Sequence, residues 1–235
     1  AERMADALGE LYAGVWIAMP PNSDPDILAR LAALPDVHVF TDCWPSGRLE
    51  SVSRALHGRV DAVHYADFDR LLHWLECYPD ELRRTLDRIA QVDCLVLGRT
   101  ARAWSTHPRC MIETEALFNM TFSHLLGAEM DFGAGSRGFS RRAATYLIRR
   151  TDPAWGWAVD AAWPLMLNRG GFALDYLEVE GLEWESADQY LDHAASATTR
   201  MAVAEQHDQS PEIWRQRVYV AYEITRVGLT AAAQQ

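Results

Sequence analysis

The sequence predicts an α/β protein: a mostly parallel central sheet with helices on both faces and further helices at the C-terminal end. Three observations carry that expectation. Short apolar runs alternate with amphipathic stretches through the first two-thirds of the chain, as βαβ units require. Proline, glycine or aspartate punctuates most of the junctions. One apolar run, Val60 to Ala66, ends in Asp67-Phe68-Asp69, at the kind of strand end where open α/β sheets bind ligands.

A short N-terminal helix precedes a strand at residues 14–19, which Pro20-Pro21 halts. Asp24-Pro25 supplies an N-cap and a first-turn proline, and Ile27, Leu28, Leu31 and Leu34 form the apolar stripe of a helix ending near Pro35. A second strand spans residues 37–41, a helix 46–56, a third strand 61–66, and a helix 71–90 broken at Pro79. A fourth strand follows at residues 92–98 and a helix at 112–126. Residues 127–138, with four of the 14 glycines, read as irregular. Beyond them come a helix at 141–150, a tryptophan-rich loop, a helix at 160–168 and a strand at 172–179. The remainder reads as helical, with Ser210-Pro211 starting the stretch that carries Ile213, Trp214, Val218, Ala221 and Ile224.

At 235 residues and 49% hydrophobic content, the chain is expected to form a single domain over 1–235. Its sections are 14–98, 99–180 and a helical extension at 181–235. A net charge of −11 argues against a nucleic-acid partner, which demands a clustered basic surface. The four cysteines, Cys43, Cys77, Cys94 and Cys110, contain no Cys-x-x-Cys pair and suit neither a thiolate zinc site nor a dense disulfide scaffold. With no apolar run of membrane-spanning length and no signal-peptide pattern at Ala1 to Asp6, a soluble, cytoplasmic protein is expected.

Asp67 and Asp69 offer hard carboxylate oxygens suited to Mg²⁺ or Mn²⁺, with a diphosphate completing the coordination shell. Arg48 lies near a helix N-terminus, where a fixed positive charge beside free N–H donors favours a diphosphate or a base carbonyl. Glycines at 133, 135 and 138 permit close approach of backbone to a ligand. Trp155 and Trp157 flank Gly156 in a loop and suit packing against the apolar face of a sugar ring. Arg99, Arg102, His107 and Arg109 read as a solvated basic patch.

Four segments together resemble the GT-A nucleotide-sugar glycosyltransferases, in particular their family-two-like branch. They are Ile17 to Asn22, Pro45 to Leu56, Gly133 to Ala144 and Val159 to Gly171, and the likeness spans roughly Gly14 to Glu180. It implies a Rossmann-like GT-A fold and a metal-dependent transferase moving a hexosyl group from a nucleotide-diphosphate sugar to a small-molecule or glycan hydroxyl. It further implies donor binding by Pro20, Asn22, Asp42, Arg48, Asp67 and Gly135, metal binding by Asp67 and Asp69, and a general-base role for Asp160. A carboxylate serves as such a base when burial raises its pKa toward neutrality. Asp42-Cys43-Trp44-Pro45-Ser46 departs from the Asp-Gly-Ser-x-Asp of many relatives and leaves the base open.

Two alternatives stand beside it: a nucleotidyltransferase, although Pro20 to Pro25 lacks the Gly-x-Gly-x-Arg loop of that class, and a catalytically inactive nucleotide-binding or assembly module. His193 lies in a context that does not match a third metal ligand. The C-terminal helices suit covering the acceptor site or pairing two subunits as a homodimer, and their acidic residues disfavour an anionic membrane.

Overall fold

The computed structural model of the protein describes residues 2–42 and 45–233; Cys43 and Trp44, within the segment that departs from the family pattern, lie outside them. Helix α1 (Ala5–Leu11) leads into β1 (Val15–Met19), whose inward residue is Ile17. Helix α2 (Pro25–Ala32) is capped by the Asp24 carboxylate, which accepts from the Asp26 amide at 2.8 Å. The chain turns through Asp36 at φ 55°, a left-handed conformation that aspartate tolerates better than most residues, and enters β2 (Val37–Thr41). β2 pairs in parallel with β1, with Val15 opposite Val37 and Met19 opposite Thr41.

Helix α3 (Gly47–Ala55) packs back onto β1, its first residue so close that a Cβ on Gly47 would sit 3.3 Å from that of Ala18. Then come β3 (Ala62–Ala66), α4 (Phe68–Cys77), α5 (Pro79–Ile89), split off at Pro79 as expected, and β4 (Cys94–Arg99). α6 (Ala101–Ser105) and α7 (Arg109–Leu126) follow, the latter ended by Gly127 at φ 71°. The chain continues through β5 (Ser136–Ser140), α8 (Arg141–Ile148), a 3₁₀ segment (Pro153–Ala158), α9 (Val159–Arg169) and β6 (Leu174–Val179). It closes with α10 (Ala197–Asp208) and α11 (Pro211–Ala233).

The α/β class holds, but the sheet is mixed where a mostly parallel one was expected. β3, β5, β4 and β6 form a four-stranded sheet in that order, while β1 and β2 pair only with each other. β5 runs antiparallel to both of its neighbours, and β4 and β6 are parallel. β5 falls in the segment read as irregular, because Ser-Arg-Gly-Phe-Ser has neither an apolar run nor clean alternation. It is nonetheless almost wholly buried. A Cβ on Gly138 would lie 2.3 Å from Ile89 Cγ1, so α5 presses on this strand where only glycine fits.

β4 is buried along its whole length and supplies both faces of the sheet. Leu95 and Leu97 join Trp74, Leu82 and Leu182 on one side; Cys94 and Val96 join Phe139, Leu147 and Trp163 on the other. A third cluster, with Phe118, Phe122, Leu165 and Ile224, fastens α7, α9 and α11 together. No helix among the described residues is long and apolar enough to cross a membrane.

Candidate functional site

The end of β3, the start of α3 and the first turn of α9 meet around one guanidinium. Arg48 Nη1 donates to both oxygens of Asp160, each at 3.2 Å, and its Nη2 donates to Asp67 Oδ1 at 3.3 Å. Asp67 occupies the N-cap position of α4 but makes no cap hydrogen bond, so its carboxylate is turned toward Arg48 instead of the helix amides. On its other side a Cβ on Gly135 would lie 3.0 Å from Asp67 Oδ2, and Gly135 takes φ 63°. Both conditions call for glycine here. Four residues singled out in the sequence, Arg48, Asp67, Gly135 and Asp160, are thus brought together.

Asp160 is 6% exposed, and burial raises its pKa above the usual carboxylate range although Arg48 and Arg137 oppose the shift. Asp69, at the surface in the first turn of α4, is also raised, by desolvation and then by the neighbouring charges of Glu185 and Asp67. Its Oδ1 accepts from the Arg70 amide at 2.9 Å. A carboxylate crowded by other carboxylates gains from a nearby cation. At Asp67, Arg48 already supplies part of the positive charge.

A cavity of about 480 Å³ opens beside this cluster. It runs between β1 and β3, which are not hydrogen-bonded to each other, and Arg48, Asp67, Ser51, Trp16 and Tyr65 line it. The Tyr65 hydroxyl is buried with no hydrogen-bond partner among the described residues. Burial raises the pKa of that phenol, and Arg48, Asp67 and Asp160 all lie within electrostatic reach. An orphaned hydroxyl beside a cavity is a group awaiting a partner.

The remaining sequence candidates fall elsewhere. Pro20 and Asn22 are exposed and do not line the cavity; Asp42 accepts from Ser46 Oγ at 3.0 Å beside the start of α3. Trp155 and Trp157 are half-buried, the first against the apolar cluster of α8 and α9 and the second against that of α7, α9 and α11. The expected solvated basic patch is instead an ion-pair network. Arg99 has no exposed side-chain surface and pairs with Asp131 and Glu115, and Arg102 pairs with Glu180 and Glu183. His107 is buried, whereas Arg102 and Arg109 are exposed, the latter paired with Glu113. His193 pairs with Glu76 at 3.0 Å.

Sequence reasoning missed two arginines that build the site. Arg70, 5% exposed, pairs with Glu185 through Nη2 at 3.1 Å and donates to the Ala134 carbonyl, holding the segment before Gly135 against α4. Arg137, in β5, has no exposed surface and donates to the carbonyls of Phe132 at 2.6 Å and Asp160 at 2.7 Å. It thereby fixes the backbone that carries the Asp160 carboxylate. Arg70 directly follows the Asp-x-Asp triplet, but its partner lies 115 positions away and left no local signal.

No protein-family model matches the chain, and comparisons with curated proteins and with solved structures give no match either.

Proposed function

We propose that the protein is a metal-dependent glycosyltransferase that moves a sugar from a nucleotide-diphosphate donor to a hydroxyl acceptor. The observation that carries this reading is the convergence of Arg48, Asp67 and Asp160 beside a nucleotide-sized cavity, from positions up to 112 residues apart. In this reading Arg48 and the start of α3 receive the diphosphate. Asp67 and Asp69 hold Mg²⁺ or Mn²⁺, which neutralises charge on the departing nucleotide when bound. Asp160, whose proton affinity burial has raised, accepts the proton of the attacking hydroxyl as the new glycosidic bond forms and the bond to the nucleotide phosphate breaks. Tyr65 offers its unpaired hydroxyl to the ligand.

The Arg48 bridge favours a second reading: a nucleotide-binding module in which a guanidinium stands in for the cation. Thermal shift with a panel of nucleoside diphosphates, each with and without Mn²⁺, separates the two. The transferase reading expects stabilisation by at least one diphosphate that requires Mn²⁺, together with Mn²⁺-dependent hydrolysis of the matching nucleotide sugar. Stabilisation indifferent to metal supports the module. Failure of every diphosphate removes both.

A further inference from the structure

Away from the cavity, α4 presents a second cluster of ligating side chains to the loop that follows β6. His73 and Cys77 stand four residues apart on α4 and share one face of the helix. Glu183 faces them, and one potential ligand atom from each of the three residues lies within 4.8 Å of the other two. His73 Nε2 is already 3.1 Å from Glu183 Oε1. Four-coordinate zinc spaces neighbouring N, S and O ligands roughly 3.3–3.8 Å apart, so closure needs side-chain movement of about 1 Å and no backbone change.

We infer that His73, Cys77 and Glu183 form a binding site for a single borderline-soft transition-metal ion of the Zn²⁺ class. The thiolate selects against Mg²⁺ and Mn²⁺, which prefer an all-oxygen set. This site is therefore separate in chemistry and in place from the carboxylates at the end of β3, and it does not rest on the glycosyltransferase reading.

The surroundings already have the form of a metal site's outer shell. A ligating imidazole is normally oriented by a carboxylate on its second nitrogen, and here Asp188 Oδ2 accepts from His73 Nδ1 at 2.5 Å, leaving Nε2 directed at Glu183 and available to the ion. Asp188 is itself fixed, since its Oδ1 accepts from the Ala195 amide at 2.8 Å. Arg200 and Arg102 hold the two oxygens of Glu183 at 2.9 and 2.6 Å. A carboxylate oxygen has two lone pairs, so Oε1 can keep Arg200 while exchanging the imidazole N–H for the ion. Charge balances as well. One divalent ion replaces one proton on His73 Nε2 and one on Cys77 Sγ, and both protons leave to solvent. The fourth position falls to water. Access is short, because Cys77 is half-buried and lies at the last residue of α4.

The ion would tie α4 to the residues around 183–188. Glu185 in that stretch clamps Arg70, and Arg70 in turn steadies the segment next to Asp67.

The test uses the full chain, stripped of metal with a chelator and titrated with Co²⁺. The expected result is one equivalent bound, with a thiolate-to-cobalt charge-transfer band in the near ultraviolet, intense visible bands of a four-coordinate ion, and displacement by Zn²⁺. Cys77→Ser should abolish the charge-transfer band and weaken Zn²⁺ binding about 100-fold, whereas Asp69→Asn should leave both unchanged. In the unmodified protein, Zn²⁺ but not Mg²⁺ should protect Cys77 from alkylation, and this arm needs no variant to fold. No cobalt–thiolate band, a band that survives Cys77→Ser, or alkylation of Cys77 at the same rate with and without Zn²⁺ would each overturn the site.

Discussion

Replacing Arg48 with methionine removes the guanidinium from between two carboxylates while keeping most of the side-chain volume. Among the described residues, Arg48 is the sole hydrogen-bond donor to the Asp160 carboxylate. Breaking a fully buried ion pair costs about 3–5 kcal/mol. Here the side chains of Arg48 and Asp160 are 16% and 8% exposed, and Asp67, at 37%, is screened by water; a loss of about 2–3 kcal/mol follows. For a chain of this length that lowers Tm by about 5–10 °C. The sign with pH is fixed by Asp160. Its folded pKa is already raised and rises further without Arg48. A group raised in the folded state costs nothing below its unfolded pKa of about 3.9, where both states are protonated, and costs progressively more as pH climbs through the folded value. Urea melts of the wild type and Arg48→Met should therefore differ little near about pH 4 and by the full amount near about pH 7.5. A difference of the same size at both, or under about 0.5 kcal/mol at the higher pH, would refute the argument that Asp160 is a buried carboxylate dependent on Arg48.

Asp69→Asn should remove Mn²⁺-dependent nucleoside diphosphate binding while leaving Tm within about 2 °C of wild type, since the residue is at the surface; calorimetry with unchanged affinity would count against it as a ligand. Asp160→Asn should spare donor binding and lower transfer by about 10²–10⁴-fold, and full turnover would dismiss it as the base. Gly138→Ala forces a methyl group against Ile89 and should cost about 1–3 kcal/mol in a denaturant melt; a neutral result would mean that α5 yields more easily than its packing indicates.

The strands that announced themselves were those with mainly apolar runs and clear stops. Val37–Thr41 agrees with expectation to the residue, and Val15–Met19 and Ala62–Ala66 to within one. β5 was illegible because its stability is non-local. Arg137 is acceptable in the centre of a sheet only because the carbonyls of Phe132 and Asp160 receive it, and neither partner is encoded near it in a periodic pattern. The same division runs through the site. Asp67 and Arg48 were visible by residue type and by their placement at strand and helix ends, and Asp160 through the family resemblance. The bridge that Arg48 makes between the other two, and the Arg70–Glu185 clamp, exist only once distant segments have docked. Trp155 and Trp157, singled out as aromatic residues in a short glycine-bearing turn, are half-buried against two different apolar clusters, which that local pattern does not reveal.

The reversed strand at the middle of the sheet governs how the molecule can be made. While the ribosome has delivered only the segment through Arg99, β3 and β4 cannot join, because the strand that separates them has not yet emerged. Until residues 136–140 insert, both nascent strands hold raw, unbonded borders toward each other, the condition under which chains pair with the wrong neighbour. Fragments ending after β4 should be poorly soluble when expressed, and those extended through α8 should be the shortest to gain protection of the Leu95 and Leu97 amides, which point toward β5, against hydrogen exchange.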